Sequence, residues 1–309
     1  MTIEDNSTIL VSGASGFIGR RLCNALFEKG HDYTALSRAP AAAAATLPHA
    51  KRVEAWRPEA EPVPPSVLSN IRAVVHLVGE TVAGKWNAEK KRQVRESRVI
   101  STYRLVESLS KAETKPSVLV CASAIGYYGE GGDNEFTEDS PPGDDFLAEL
   151  CQAWEAEAQK AETAGIRAVQ VRIGLVLGKD GGVLQPMLTP FKMGVGGKLG
   201  SGKQWMSWVH LDDVIGIILY ALENPQISGV LNATAPVPIR NTDFTKTLGR
   251  VLKRPTLFRV PTFALKLKLG EFTEFVLMSQ RVLPKKTLSS GYEFRHTDLE
   301  SALRESLES

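Results

Sequence analysis

Short apolar runs alternate along the chain with longer stretches of helical spacing. Thr8–Val11 is a β-rich run, and Phe17–Phe27 follows with apolar residues at Phe17, Ile18, Leu22, Leu26 and Phe27, the spacing of one helix face. Tyr33–Ser37 is a second strand; another short one falls near Arg52–Trp56, and Ala73–Val78 is a third clear apolar run, ending at Gly79. A helix over about 88–112, charged on one face, leads to the strand Ser117–Ser123. The next helix, Asp145–Ala164, stops at Gly165, a residue suited to a left-handed cap, and Arg167–Arg172 is again a strand. This alternation predicts an α/β fold: a Rossmann-type, doubly wound parallel sheet with helices on both faces.

Two stretches break the rhythm. Between Ala39 and Pro65 alanine and proline dominate, with the run Ala41–Ala45 and the segment Pro62–Pro65, which reads as connecting loop around one short strand. Beyond Ile173 the segment Gly174–Gly202 is glycine-rich and irregular; Trp205–Val209 is a short strand, Asp212 or Asp213 opens a helix to about Glu223, and Val230–Thr234 can close the main sheet. From Pro236 onward, short helices and a strand at Thr256–Val260 suggest a second, smaller C-terminal lobe. The expected division is residues 1–172 with 206–235 for the Rossmann domain, and 173–205 with 236–309 for the smaller lobe.

Composition narrows the function class. At 309 residues the chain can bury roughly three quarters of its unfolded surface. With 37 basic and 35 acidic side chains the net charge is +2, so the whole-chain balance gives no broad footprint for nucleic acid or an anionic membrane. Cys23, Cys121 and Cys151 share no metal or redox spacing and read as small buried hydrophobes in a reducing compartment. The acidic, polar start Met1–Ser7 is unlike a targeting signal, and no apolar run approaches the ~20 residues that cross a bilayer. A cytoplasmic protein with a small-molecule substrate is expected, and a homo-oligomer is left open.

The joint between the first strand and helix carries the chemistry. Gly13, Gly16 and Gly19 permit a tight turn, close approach of a ligand and close helix–strand packing, and the helix start presents free N–H groups to a pyrophosphate. Ser15, Phe17 and Ile18 belong to the same turn. The second strand ends Leu36-Ser37-Arg38 with no acidic residue to meet a ribose hydroxyl, which favours NADP(H), its 2′-phosphate held by Ser37 and Arg38. The backbone of Leu77, Val78 and Gly79 is placed along the nucleotide, while His76 in a buried strand reads as packing.

The spelling Ser12-Gly-x-x-Gly-Phe-Ile-Gly19 resembles the extended short-chain dehydrogenase/reductase family, whose fourth strand commonly ends His-Leu-Ala-Gly, here His76-Leu-Val-Gly79. The family's usual Asp before that strand is Arg72 here. Further stretches are similar to its uncharacterised "epimerase family protein" branch: Trp86 followed by Ser97-Arg98, Ser123-Ala-Ile-Gly-Tyr-Tyr-Gly129, Phe146–Glu155, Arg172–Gly178, Gly200–Val214, Gly229–Pro236, and the tail segments Arg281–Pro284 and Ser290–Phe294. The resemblance runs nearly end to end. It implies an NAD(P)-dependent epimerase/dehydratase-like protein with a small C-terminal domain, Arg98 reaching the cofactor phosphates, and Val176 near the cofactor.

The wider family works with Ser or Thr, a proton-passing Tyr, and a Lys four positions later that lowers the tyrosine pKa. Ser123 suits the first role, but Phe146 takes the tyrosine's place and Leu150 the lysine's, and neither can donate or accept a proton. Tyr127 or Tyr128 can supply a phenol, and Glu149 or Glu155 a carboxylate; Ser123 and Tyr127 are the catalytic candidates. Asp212 and Asp213 read as helix capping and dipole residues, and the five histidines show no metal spacing. Trp205, Met206 and Trp208 can line a pocket between the lobes or lie in the core. Two functions follow: an atypical NADP-dependent oxidoreductase or epimerase-like enzyme, or a non-catalytic NADP(H)-binding regulator.

Overall fold

Residues 8–308 are described by a computed structural model; Met1–Ser7, and with them the expectation about targeting, lie outside the described residues. The first half delivers β1 (Thr8–Ser12), α1 (Phe17–Glu28), β2 (Tyr33–Ser37), α2 (Pro40–Thr46), β3 (Arg52–Ala55), α3 (Pro65–Leu68), β4 (Ile71–His76), α4 (Ala88–Lys111) and β5 (Val118–Ala124). Next come the short β6 (Glu135–Phe136), α5 (Phe146–Gln159) and β7 (Arg167–Ile173). A 3₁₀ turn at Lys160–Ala164 finishes α5, and Gly165 at φ 78° provides the left-handed cap.

The alanine run that reads as loop is helical. Pro40 opens α2, where its fixed φ suits the first turn, and the alanines that follow are the strongest helix formers.

The second half contains β8 (Leu175–Gly178), β9 (Gly181–Gly182), α6 (Leu184–Lys192), β10 (Gly197–Leu199), β11 (Trp205–Met206), β12 (Trp208–His210), α7 (Leu211–Glu223) and β13 (Gly229–Ala233). It ends with β14 (Ile239–Arg240), α8 (Asn241–Leu252), β15 (Phe258–Val260), α9 (Thr262–Leu269), α10 (Phe272–Leu277), β16 (Arg281–Val282), α11 (Lys285–Ser289) and α12 (Leu299–Glu308).

Seven strands form one parallel sheet in the order β3-β2-β1-β4-β5-β7-β13. Alternating side chains of each strand serve opposite faces: Ile9 and Val11 pack with Leu22, Leu26, Ile217 and Ile218 from α1 and α7, whereas Leu10 joins Leu105 and Leu109 from α4. Both faces are covered, which is why the strands read as continuous apolar runs. A further apolar cluster, with Trp208, Phe244, Leu248 and Leu303, holds α8 and α12 together beside the main sheet.

The expected strand over Trp205–Val209 is two strands. Ser207 interrupts it: its hydroxyl donates to Gln280 O at 2.8 Å and accepts from Val282 N at 2.8 Å. Helix α7 starts at Leu211, and its cap is His210, whose Nδ1 accepts from Asp212 N at 3.2 Å, so neither aspartate is the cap. Asp212 pairs with Arg21 at 2.9 Å. Asp213 is buried and accepts from Arg295 N at 2.8 Å and His296 N at 3.0 Å, anchoring the C-terminal segment. The three cysteines are buried free thiols, each pushed by burial up to about 12.

Candidate active site and nucleotide crevice

Strand order reverses between β1 and β4, and the crevice at such a switch point lies beyond the carboxyl ends of the strands. Register puts Ser12 level with Leu36 and with His76, so Gly13, Ser37 and Leu77 emerge side by side at that edge. Gly13 has φ 74°, and a Cβ there would lie 2.6 Å from Leu77 O; a Cβ at Gly19 would run into the Gly13 carbonyl. Only glycine allows this approach of backbone to backbone. The first turn of α1 carries no acidic residue and no side-chain cap, so its N–H groups stay open to an anion beside the exposed Ser15 and Gly16.

The other nucleotide candidates surround this turn unequally. The Phe17 ring lies under Gly178 and Gly181, which brings the β8–β9 hairpin against the turn; Val176, 8% exposed, braces that hairpin by accepting from Val183 N at 2.9 Å. Ile18 is partly buried behind the turn. Ser37 Oγ accepts from Ala39 N at 3.1 Å, and the exposed Arg38 has no hydrogen bond or ion pair among the described residues. On the far side the Arg98 guanidinium lies against Gly79, where an added Cβ would be 3.0 Å from its Cζ. Arg98 donates to Glu80 O at 3.0 Å and to Val94 O at 3.2 Å, and it has no carboxylate partner among the described residues. Burial lowers its pKa, outweighing the opposing pull of Cys151 and Glu80. His76 is fully buried, shares a hydrogen bond of 2.6 Å with Ser12 Oγ, and is pushed down to about 3 by burial, so it is a neutral packing residue.

Where β5 and β7 end, a buried polar network stands. Ser123 is register partner to Arg172 and donates to Glu155 Oε1 at 2.5 Å; Arg172 grips the same carboxylate through Nε and Nη2, each at 2.8 Å. Arg172 also donates to Tyr128 Oη at 3.0 Å, and Tyr128 donates to Asn232 Oδ1 at 2.7 Å. Burial disfavours the Arg172 charge, but the bonds to Glu155 outweigh it and its pKa rises; burial pushes the Tyr128 phenol up to about 12. Tyr127 differs. Its ring stacks on the Arg172 guanidinium at 3.3 Å, the residue is only partly buried, and its hydroxyl has no hydrogen-bond partner among the described residues.

Of the two helical carboxylates, α5 turns Glu155 into this network and leaves Glu149 exposed. Phe146 sits in an aromatic box, edge-on to Trp86 at 5.6 Å with Lys91 Nζ 5.3 Å from its ring; Trp86 in turn stacks on Phe272 and meets Phe275 at a tilt of 48°, each at 5.1 Å. Leu150 is buried. Trp208 and Met206 belong to the core, whereas Trp205 is held between Arg240 and Arg281 and donates to Asp133 at 3.0 Å. Asp133, Arg240 and Ser279 help to line an open cleft of about 700 Å³.

Arg172, Asn232, Glu138 and Gln280 carry the site's polar framework and were not singled out in the sequence. A usable signal existed for one of them: an arginine inside an otherwise apolar buried strand requires a buried acidic partner.

Fold and crevice together define an α/β protein of the extended short-chain dehydrogenase/reductase type. The sequence pattern of the NAD dependent epimerase/dehydratase family is matched over residues 9–233, and that of a domain of unknown function, DUF1731, over residues 260–306. The chain belongs to the NAD-dependent epimerase/dehydratase family. It is 43% identical over 303 residues to the Arabidopsis thaliana "Epimerase family protein SDR39U1 homolog, chloroplastic" (97% of this chain, 87% of that protein). It is 39% identical over 296 residues to Bacillus subtilis "Epimerase family protein YfhF" (96% of each). Among solved structures, human epimerase family protein SDR39U1 (isoform 2) with NADPH superimposes with a TM-score of 0.87 at 34% identity, covering 97% of this chain and 99% of the human one. Among the described residues no helix is long and apolar enough to cross a membrane.

Proposed function

We propose that the protein is an NADP(H)-dependent oxidoreductase or epimerase-like enzyme that acts on a small molecule without the Tyr-x-x-x-Lys relay. The observation that carries this reading is the Arg98 guanidinium, bonded to no carboxylate among the described residues, lying against Gly79 beside a glycine cradle that a Cβ would fill. Gly13, Ser15, Gly16, Phe17, Ile18 and Gly19 hold the pyrophosphate, Arg98 adds charge to it, Ser37 and Arg38 hold the 2′-phosphate, and Leu77–Gly79 and Val176 line the rest. The relative that superimposes on the chain with NADPH supports the choice of cofactor. Bound NADPH supplies a hydride. The proton is handled by Tyr127, whose hydroxyl is unengaged, and Ser123, whose only O–H donates to Glu155, accepts from a substrate hydroxyl and so orients it. The division into residues 1–172 with 206–235 and 173–205 with 236–309 belongs to the same proposal, the substrate lying in the cleft beside Trp205.

A second reading, a non-catalytic NADP(H)-binding regulator, is favoured by how much of the polar network is committed internally: Ser123 to Glu155 and Tyr128 to Asn232. One set of measurements separates them. NADPH and NADH are titrated against the wild type and Arg38→Ala, and NADPH oxidation is followed over carbonyl and nucleotide-sugar substrates with Ser123→Ala and Tyr127→Phe alongside. Arg38→Ala is expected to weaken NADPH binding by about 1.5–3 kcal/mol, the size of a charge-assisted hydrogen bond, and to leave NADH nearly unchanged; equal loss for both removes the phosphate assignment. Turnover lost in either hydroxyl variant supports the enzyme. Tight NADPH binding with no turnover on any substrate leaves the regulator.

A further inference from the structure

The whole-chain charge of +2 conceals one strongly asymmetric region. Residues 244–270, spanning most of α8, β15 and α9, contain seven lysines and arginines and no acidic residue. Arg250 meets Glu300 at 3.4 Å, whereas Lys246, Lys253, Arg259, Lys266 and Lys268 have no ion pair among the described residues.

Large apolar side chains project from the same surface. Leu257 is 88% exposed, Leu267 81%, Phe263 76% and Met193 72%. Phe263 and Leu267 lie one turn apart on α9, whose opposite face buries Leu265, and Lys266 and Lys268 flank them. The pieces are contiguous: β10 pairs with β15 through Gly197 and Phe258, Arg254 Nε donates to Lys192 O at 2.9 Å, and β15 leads through Pro261 into α9. Beside the projections a groove of about 730 Å³ is lined by Lys246, Arg250, Lys253 and Arg254.

We propose that this surface docks the protein on an anionic lipid bilayer, with Leu257, Phe263 and Leu267 entering the acyl boundary and the lysines and arginines lying among the phosphate headgroups. Apolar tips ringed by cations, on an element with no long apolar helix, are the chemistry of interfacial attachment, not of spanning. A second copy fits poorly, because a two-fold contact would set this basic rim against itself. Nucleic acid would satisfy the charges but leave the projecting leucines facing phosphate and water.

The test is co-sedimentation of the full chain with vesicles of phosphatidylcholine alone and of phosphatidylcholine mixed with phosphatidylglycerol, at low salt and at about 0.5 M salt, where screening shortens to a few Å. Binding is expected only to the mixed vesicles and to fall with salt. Phe263→Ser with Leu267→Ser, and separately Lys266→Glu with Lys268→Glu, are expected to lower partitioning at least tenfold while leaving the thermal unfolding midpoint unchanged, as suits exposed positions. Absence of binding to the anionic vesicles, equal binding to both kinds, or unaltered partitioning of both double variants overturns the proposal. So does a dimer in light scattering that Leu267→Ser dissolves, since the surface then belongs to a second copy. None of these readouts depends on the cofactor or on turnover.

Discussion

His76 and Arg172 are both titratable side chains inside apolar strands, and the protein treats them in opposite ways. His76 is kept neutral; Arg172 is kept charged by a bidentate carboxylate. For His76 the consequence is a pH dependence of stability. Its folded pKa, about 3, lies below its ordinary 6.5, so on acidification the unfolded chain takes up a proton that the folded chain refuses. The contribution is fully present above pH 6.5 and is lost as pH falls from 6.5 toward 3, by about 1.4 kcal/mol per pH unit at steepest. Urea midpoints measured across that window should fall with acid in the wild type and fall less steeply in His76→Gln; parallel slopes would assign the loss to other groups. His76 was legible as packing because a histidine amid valines has little else to do. The Arg172 network was not, since its partners Glu155 and Asn232 come from distant positions that no local pattern links.

Elements were readable where periodicity was strong. The β1–α1 unit follows from its apolar spacing and three glycines, and the structure explains each: Gly13 passes under Leu77, Gly16 closes the turn by donating to Gly13 O at 3.0 Å, and Gly19 sits on the Gly13 carbonyl. Gly19→Ala is therefore expected to force the turn open, costing about 1–3 kcal/mol of stability by overpacking and abolishing NADPH binding, while far-UV circular dichroism stays native. Retained NADPH affinity in a folded Gly19→Ala protein would separate the turn from the cofactor. Weak periodicity misled in three places: Gly174–Gly202, read as irregular, contains β8, β9, α6 and β10, and two further misreadings have clear causes. Five alanines have no amphipathic signature, so α2 reads as loop; and the break between β11 and β12 at Ser207 depends on hydrogen bonds to Gln280 and Val282, far along the chain.

At the scale of the molecule, the segments after β13 are fastened to the strand-end loops through polar contacts. Gln280 Nε2 donates to Ile125 O at 3.0 Å and Gly129 O at 3.1 Å, bracketing Tyr127; Glu138 accepts from Asn232 N at 3.1 Å, Lys286 N at 3.0 Å and Thr287 N at 3.2 Å. Gln280→Ala strips two carbonyls of their donor and is expected to cost about 1–3 kcal/mol in urea unfolding. It should also lower any turnover that depends on Tyr127, with NADPH affinity preserved. Unchanged stability would mean that water replaces the amide without loss. The parallel sheet and the presence of a smaller C-terminal part were legible from element order; this fastening was not.

Trp86 gives the tail a further meaning. Its backbone N–H bonds Leu269 O at 3.1 Å, and its ring joins Phe146, at the start of α5, to Phe272 and Phe275. The C-terminal part thus packs directly against the start of α5. A tail exchanged between two relatives would carry these aromatic partners of Trp86 with it, so ancestry should bind the two halves into a single heritable unit.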